Sequence, residues 1–153
     1  MDRQQWDERY SGAEFEWSMH PNQFVAEQLD RLPPGRALDL AEYEPARAAF
    51  DLVLIAYLQV DAELRGRVLA GAAAALVPGG TLLVVGHDLT NLTEGVGGPT
   101  SPDVLYTPEA ITAGLPGLRI LRAERVRRIV ERDGGQATAI DTLVRAERPA
   151  ASP

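Results

Sequence analysis

Two short apolar runs between Pro34 and Tyr57 constrain the fold of this chain more than any other feature. They are ALDL at 37–40 and DLVLI at 51–55, and the residues between them contain no glycine. Both are typical of buried parallel strands. In an open α/β domain a strand of the first kind usually ends in a glycine-rich turn that receives a nucleotide-like ligand. That turn is missing here, and the link is shorter than the dozen or so residues that a parallel crossover usually takes.

The rest of the chain alternates predicted helices and strands. Helices are predicted at 22–32, at 61–76 and from Thr107 onward, with Asp61 and Thr107 as N-caps. Further strands are predicted at 81–85, after a Pro78-Gly79-Gly80 turn, and at 119–131 and 136–147, which form a hairpin. This order predicts an α/β fold whose sheet is mostly parallel, with one antiparallel strand in the C-terminal hairpin.

The 153 residues fit a single domain, which we place at 1–148, with a frayed tail at 149–153. Residues 1–19 form an N-terminal arm that is rich in aromatic side chains, among them Tyr10, Phe15 and Trp17. Two interpretations of the arm remain open. Its rings pack on the core, or the arm folds over a ligand cleft as a lid.

Composition argues against several classes of function. The net charge of −7 does not suit a duplex nucleic-acid binder, which needs clustered basic residues. Without cysteine, and with only two histidines, disulfides, thiolate chemistry and a metal site are not expected. The polar N-terminus does not resemble a signal peptide, and no apolar run approaches the roughly 20 residues of a membrane span. A cytoplasmic location without a membrane partner is therefore expected.

An arginine-rich stretch lies at 119–132 on the predicted hairpin. One interpretation is a solvated face balanced by Glu124 and Glu131. The other is a surface for an anionic partner, and the sequence favours the first.

Candidate site residues lie where the predicted strands end, because open α/β sheets bind ligands at the carboxyl ends of their strands. Asp39 and Leu40 end the first strand, and residues 56–58 (Ala56, Tyr57, Leu58) end the second. His87 and Asp88, the candidate catalytic residues, follow the third strand, where a histidine acts as a general base or orients a substrate. Each of Asp39, Tyr57 and His87 also has a purely structural interpretation, as a capping acid, a packed ring and a hydrogen-bonded imidazole.

A long irregular loop is predicted at 89–106, and loops of this length in a compact domain are often lids or binding loops. We assign Asn91 and Tyr106 in this loop, together with Tyr10, Phe15 and Trp17 of the arm, to substrate contact. The Gly95-Val96-Gly97-Gly98 segment resembles a phosphate cradle only in its glycine content, because it lacks the strand–loop–helix context and a lysine.

Several segments together resemble the class I S-adenosylmethionine-dependent methyltransferases, particularly the branch of the tellurite-resistance and thiopurine methyltransferases. They are WDERYSGAEFEWS at 6–18, ALDL at 37–40, FDLVLIAYLQV at 50–60, ALVPGGTLLVVGHD at 75–88 and LYTPEAI at 105–111. The resemblance implies a Rossmann-like sheet, S-adenosylmethionine as cofactor and a small-molecule methyl acceptor. It also implies that the cofactor contacts Asp39, Leu40, Ala56, Tyr57 and Leu58.

The chain departs from this family immediately after ALDL. Roughly 50 to 60 residues, about two βα units with the glycine turn and the ribose-binding acid, are missing in one deletion. The deletion turns a central strand into an edge, and three outcomes follow: the link forms one helical turn and the strand stays in place, two chains pair edge to edge or exchange the N-terminal segment, or the protein is marginally stable. We favour a homodimer, because an uncovered apolar edge promotes aggregation. Two functions remain open. One is an S-adenosylmethionine-binding methyltransferase whose site a second copy completes, and the other is a non-catalytic remnant that serves as a dimeric interaction module.

Overall fold

The computed structural model describes residues 23–30, 32, 37–39, 48–132 and 135–150, with the backbone alone at 37–39 and 132. The chain divides into two compact units, Met1–Leu32 and Pro33–Pro153. In the first unit, helix α1 spans Gln23–Leu29 and buries Phe24, Val25 and Gln28. The helix predicted over 22–32 is therefore present over a shorter range. The assignment of 1–148 to one domain stays a prediction.

The second unit contains a five-stranded sheet with the order β1-β2-β3-β5-β4. Its strands are β1 Ala37–Asp39, β2 Phe50–Ala56, β3 Leu76–His87, β4 Arg119–Arg132 and β5 Gly135–Glu147. The first three strands pair in parallel, and β5 is antiparallel to both of its neighbours. The predicted fold class is confirmed: the sheet is mostly parallel, and its antiparallel strand belongs to the C-terminal hairpin.

Two of the three α-helices described in this unit begin where the sequence predicts caps. Helix α2 spans Ala62–Ala75, α3 spans Asn91–Glu94 and α4 spans Pro108–Ala113. The Asp61 carboxylate accepts a hydrogen bond from the Leu64 amide at 2.9 Å, and the Thr107 hydroxyl accepts one from the Ala110 amide at 3.1 Å. Each cap satisfies an amide that has no partner inside its helix. Among the helices in the described ranges, none has the length and hydrophobicity needed to cross a lipid bilayer.

The sequence predicts that a turn at Pro78-Gly79-Gly80 separates a helix from the third strand, and this prediction is wrong. Strand β3 begins at Leu76, directly after α2, and runs through these three residues. The register with β2 shifts there, and Gly79 has a φ of 81°, which favours glycine. The Gly79 amide donates to the Arg148 carbonyl at 2.8 Å, and the Arg148 amide donates to the Gly80 carbonyl at 2.9 Å. The segment stays in the sheet because its backbone groups find these partners.

The segment at 89–106 is more regular than predicted. It contains α3, a single turn of 3₁₀ helix at Pro102–Val104, and an isolated bridge between Asp88 and Tyr106. The bridge lets Tyr106 continue the sheet beside the end of β3. The loop therefore leaves the carboxyl edge of the sheet and returns to it.

Helices α2 and α4 cover one face of the sheet, called here the helix-covered face. Its core comprises Val53, Ile55, Leu82, Val84, Val144 and Ala146 of the strands with Leu69, Ala72, Ala75, Ile111 and Leu115. Side chains alternate along a strand, so their neighbours point to the opposite face. That face buries Leu83, Val85 and Leu143, and also the carboxylate of Asp141.

Strand β1 lies at one end of the sheet order, as the sequence predicts. It pairs with β2 through Ala37, Leu38 and Asp39, opposite Leu52, Val53 and Leu54. Within the described residues it has no second neighbour. Leu40 and most of the link to β2 lie outside the described residues.

Candidate functional site

Two buried carboxylates lie at the carboxyl edge of β3. Asp141 of β5 is opposite His87, the last residue of β3, and Asp88 is the next residue along the chain. Both aspartates are completely buried. Because consecutive residues of an extended strand point in opposite directions, His87 and Asp141 lie on the face opposite the helices, and Asp88 lies on the helix-covered face.

The first carboxylate joins three side chains into what we call the Asp141 cluster: Asp141, His87, Tyr57 and Arg128. The Tyr57 hydroxyl and Arg128 Nε each donate to Asp141 Oδ2 at 2.8 Å. His87 Nδ1 lies 3.2 Å from Asp141 Oδ1. The cluster therefore draws on β2, β3, β4 and β5, and its members meet where β2 and β3 end.

Electrostatics keeps Asp141 ionised. Burial by itself raises the pKa of a carboxyl group, but the close His87 ring, the hydrogen bonds from Arg128 and Tyr57 and the charge of Arg128 outweigh burial, so the pKa of Asp141 lies below its usual range. Burial, and then the negative charge of Asp141, raise the pKa of Tyr57 well above its ordinary value. Tyr57 therefore keeps its proton and acts as a donor.

Tyr57 reaches Asp141 from an uncommon backbone conformation. Its φ is 53°, in the left-handed region that few residues other than glycine adopt. Its amide donates to the Val85 carbonyl at 2.8 Å, which continues the pairing of β2 and β3. The ring lies 5.0 Å from the His87 ring and 5.6 Å from the Arg128 guanidinium carbon. These contacts hold Tyr57 in a conformation that costs about 1–3 kcal/mol, and such strain concentrates at functional sites.

The second carboxylate is surrounded by the Asp88 cluster: Asp88, Thr90, Arg125 and Thr142. Asp88 Oδ1 accepts from the Thr90 amide at 2.9 Å, the Thr90 hydroxyl at 2.7 Å and Arg125 Nε at 2.9 Å. Asp88 Oδ2 accepts from the Thr142 hydroxyl at 2.6 Å. Burial would raise the pKa of Asp88, but these hydrogen bonds lower it below its usual range. The network joins the end of β3 to β4 and β5.

The structure separates His87 and Asp88, which the sequence assigned together to catalysis. His87 belongs to the Asp141 cluster and keeps 15% of its side chain exposed. Asp88 has no exposed side-chain surface, and both of its oxygens accept hydrogen bonds from the protein. The contacts of Asp88 are therefore those of a residue that holds the edge of the sheet together.

The residues at the end of β2 have different environments. Ala56 is exposed, and Tyr57 belongs to the Asp141 cluster. Leu58 packs against the core, and its carbonyl accepts a short hydrogen bond from the Tyr106 hydroxyl. Asp39 ends β1, where only its backbone is described, and Leu40, Tyr10, Phe15 and Trp17 lie outside the described residues. Their assignment to cofactor or substrate contact stays a prediction.

Asn91 and Tyr106, assigned to substrate contact, are both buried and hydrogen-bonded within the chain. Asn91 Oδ1 accepts from the Ile140 amide at 2.7 Å, and its Nδ2 donates to the Gly97 carbonyl at 2.8 Å. Burial raises the pKa of Tyr106 to about 12. The structure gives both residues a role in anchoring the 89–106 segment, and their contact with a substrate stays a prediction.

Sequence reasoning missed Asp141 and misjudged part of the arginine-rich stretch. Two of its arginines, Arg125 and Arg128, donate to buried carboxylates instead of facing solvent alone. Arg122 does pair with Glu124 at the surface, as the solvated interpretation expects. The signal in the sequence was Asp141 itself, a single acid inside the apolar run AIDTLV. An acid at such a position of a central strand needs a partner.

Metal ligands are not clustered in the part of the chain that the structure describes. No group of three or more histidine, aspartate or glutamate side chains there could hold a metal ion. The two buried aspartates take their charge balance from arginine.

Comparison with known proteins shows which solved structures share this fold. The sequence matches no protein-family model, and no curated protein is significantly similar to it. Among solved structures, TehB from Haemophilus influenzae aligns with a TM-score of 0.64 at 9% identity, covering 94% of this chain and 65% of that protein. A variant of the 16S rRNA (adenine(1408)-N(1))-methyltransferase from Catenulisporales acidiphilia, with its cosubstrate SAM (S-adenosylmethionine), aligns with a TM-score of 0.50 at 19% identity, covering 70% and 57%.

The chain thus spans between half and two thirds of the length of these proteins. At such low identity the likeness concerns the fold alone. On this basis the chain has the α/β fold of the SAM-dependent methyltransferases.

Proposed function

We propose that this chain is a SAM-dependent methyltransferase-family protein that acts on a small-molecule acceptor and belongs to the tellurite-resistance and thiopurine branch. One observation carries the proposal. The sheet order β1-β2-β3-β5-β4, with β5 as the antiparallel strand, aligns with TehB over 94% of this chain. The shared fold supports the family, and the segments quoted from the sequence support the branch.

The carboxyl edge of β2 and β3 is the proposed ligand site. Open α/β sheets bind ligands at this edge, and the strained Tyr57 and the partly exposed His87 both lie there. Ala56 leaves this end of β2 exposed. We assign His87 to proton transfer or substrate orientation, and we assign Asp88 to structural support.

The described residues at this edge do not by themselves fit SAM. Both oxygens of Asp88 and Oδ2 of Asp141 already accept hydrogen bonds from this chain, and Asp141 Oδ1 is buried 3.2 Å from His87 Nδ1, so neither carboxylate is exposed to receive ribose hydroxyls. Gln59, three residues beyond the end of β2, has a buried Nε2 without a hydrogen-bond partner among the described residues. A single amide is not a cofactor cradle, so most contacts to a bound cofactor would have to come from elsewhere.

A second copy of the chain is the proposed source of the missing contacts. Strand β1 lies at the end of the sheet, and among the described residues only β2 pairs with it. An edge strand is a template for pairing with another chain. Pairing of two β1 edges, or an exchange of segments between two copies, would cover this edge, which supports a homodimer.

A non-catalytic remnant that serves as a dimeric interaction module is the second candidate. It is favoured by the hydrogen bonding of Asp88 and Asp141, which leaves few polar groups at this edge for a ligand. The two candidates share the fold and the dimer, and they differ in whether the cofactor binds.

Calorimetric titration of the full chain with SAM and with its demethylated product, combined with light scattering, separates these functions. We expect measurable binding together with a dimeric mass, and weaker binding in Asp39→Ala and Tyr57→Ala. Glu63→Gln, a change of an exposed acid in the first turn of α2, serves as the control. No heat at millimolar ligand would reject cofactor binding and leave the remnant, and a monomeric mass at micromolar concentration would reject the dimer.

A further inference from the structure

We infer that Asp141 fixes the tautomer of His87, so that Nδ1 carries the hydrogen and Nε2 is the proton acceptor of the carboxyl edge. In this arrangement Asp141 is a positioning residue, and His87 is the group that meets a ligand. Asp141 thereby replaces the adjacent Asp88 as the acid that works with His87.

The geometry around Nδ1 determines where the hydrogen lies. His87 Nδ1 is buried, and the atom 3.2 Å away from it is Asp141 Oδ1. An ionised carboxylate only accepts hydrogen bonds. If Nδ1 carried no hydrogen, its lone pair would face a lone pair of Asp141 Oδ1 in a buried site, which is repulsive. The more stable neutral form of the ring therefore carries its hydrogen on Nδ1. The lone pair is then on Nε2.

The rest of the cluster keeps Asp141 Oδ1 available for His87. Tyr57 and Arg128 both donate to the other oxygen, Oδ2. Among the described residues, neither Asp141 Oδ1 nor His87 Nδ1 has a hydrogen-bond partner of good geometry, and the two buried atoms lie 3.2 Å apart. Arg128 balances the carboxylate charge while His87 is neutral.

Gly98 controls access to the reactive edge of the ring. A Cβ atom at Gly98 would lie 2.7 Å from His87 Cδ2 and 3.0 Å from Nε2, and the φ of Gly98 is +78°. The loop is anchored directly before Gly98, since Asn91 Nδ2 donates to the Gly97 carbonyl and the Val96 amide donates to the Thr138 carbonyl. A side chain at position 98 would therefore press on the ring instead of moving away.

The chemistry that this arrangement performs is a single proton transfer. The X–H bond of a bound ligand breaks, its electron pair stays on X, and a new N–H bond forms at Nε2 of His87. The ligand class is a hydroxyl or thiol compound, which becomes a good nucleophile when it loses its proton. This class rests on the proposed function, whereas the tautomer of His87 does not.

The tautomer is measured in the ligand-free protein by long-range ¹H–¹⁵N NMR of His87. We expect the Nδ1–H form to dominate in the wild type and the ratio of tautomers to reverse in Asp141→Asn, whose amide can donate to Nδ1. Asp88→Asn is the matched control, because it neutralises a buried carboxylate on the other face and leaves the His87 tautomer unchanged. A dominant Nε2–H form in the wild type overturns the inference, even where Asp141→Asn does not fold.

Access to Nε2 is measured by the rate at which diethyl pyrocarbonate modifies His87, with His20 as the internal reference. We expect Gly98→Ala to slow modification at least tenfold. Gly71→Ala in α2 is the control, because a Cβ there has no atom within 4 Å. Equal rates in Gly98→Ala and the wild type contradict the role of Gly98.

The ligand class is tested with phenol and thiophenol as methyl acceptors and SAM as donor. We expect His87→Gln to lower the rate about 10²–10⁴-fold, the range of general acid–base catalysis. We expect Asp141→Asn to change the pH profile as well as the rate. No transfer by the wild type overturns the ligand class, and failure of SAM to bind by calorimetry overturns the proposed function. Neither result changes the NMR measurement, so the failures are distinguishable.

Discussion

Asp88 and Asp141 are alike in burial and charge but differ in what their partners do. Each is completely buried, and hydrogen bonds hold the pKa of each carboxyl below its usual range. Asp88 accepts four hydrogen bonds, from Thr90, Arg125 and Thr142. Asp141 Oδ2 accepts hydrogen bonds from Tyr57 and Arg128, and its Oδ1 lies 3.2 Å from His87 Nδ1.

The difference lies in whether the network reaches a group that can meet a ligand. In the Asp88 cluster all four hydrogen bonds end on atoms that join segments of the protein. In the Asp141 cluster one branch ends on an imidazole that keeps 15% of its side chain exposed at the carboxyl edge. A buried carboxylate is therefore not a functional signal by itself. Its partner determines whether it supports the fold or positions a reactive group.

The largest expected effect is on stability when Asp88 is removed. Asp88→Ala leaves Arg125, Thr90 and Thr142 without their acceptor, and because each buried donor left unsatisfied costs about 1–3 kcal/mol we expect a total loss of about 3–5 kcal/mol. We expect Asp141→Ala to cost less, about 2–3 kcal/mol, since it removes an acceptor from fewer donors. Urea denaturation of both variants measures the difference.

Glu94→Gln is the control for this pair. Glu94 approaches Arg127 only at 3.8 Å, and both side chains are mostly exposed, so its change should cost under about 1 kcal/mol. If Asp141→Ala proves as destabilising as Asp88→Ala, the distinction between a supporting and a positioning aspartate fails.

The two carboxylates also predict an acid limit to stability. Because the pKa of each is lower in the folded than in the unfolded chain, each stabilises the fold above the unfolded pKa of about 3.9, and that stabilisation is lost as the pH falls toward the folded pKa. Unfolding free energy measured from pH 7 to pH 2 should therefore fall below about pH 4. Asp88→Asn and Asp141→Asn should each flatten part of that fall. An unchanged acid profile in both variants would contradict the pKa shifts.

The smallest expected effects come from single hydroxyl groups, one in each cluster. Thr142→Val removes the donor to Asp88 Oδ2, and Tyr57→Phe removes one donor to Asp141 Oδ2. Each change should cost about 1–3 kcal/mol, because the lost hydrogen bond is to a charged group. Thermal unfolding measures both.

The NMR tautomer ratio of His87 sharpens this last comparison. Tyr57→Phe leaves Arg128 on Oδ2 and Asp141 Oδ1 opposite His87, so the tautomer should persist. Thr142→Val should not affect it at all. A tautomer change in Thr142→Val would show that the two clusters are coupled across the sheet.

Local signals predicted most of the elements. The caps at Asp61 and Thr107 were predicted because an N-cap acts within three residues, and the hairpin was predicted from two strand patterns on either side of a glycine-containing turn. The Pro78-Gly79-Gly80 turn was misjudged, because the partner that keeps it in the sheet is Arg148, far along the chain.

The candidate site was harder to predict for the same reason. His87, Tyr57 and Asp88 were identified from their place after buried strands, which needs only the sequence. Their partners were not, because Asp141 lies 84 residues from the Tyr57 hydroxyl that donates to it. Nothing local to either residue indicates that pairing.

The amino-acid sequence was sufficient to predict that β1 and β2 are strands joined by a short link without a glycine turn, and that the sheet ends in an antiparallel hairpin. Periodicity, caps and turn residues act over a few positions, so they can be recognised from the sequence alone. Which of two adjacent residues, His87 or Asp88, keeps an exposed side chain at the carboxyl edge became clear only from the three-dimensional arrangement. The register of β3 against β5 places Asp141 opposite His87 and turns Asp88 to the other face, and that register depends on residues far apart in the chain.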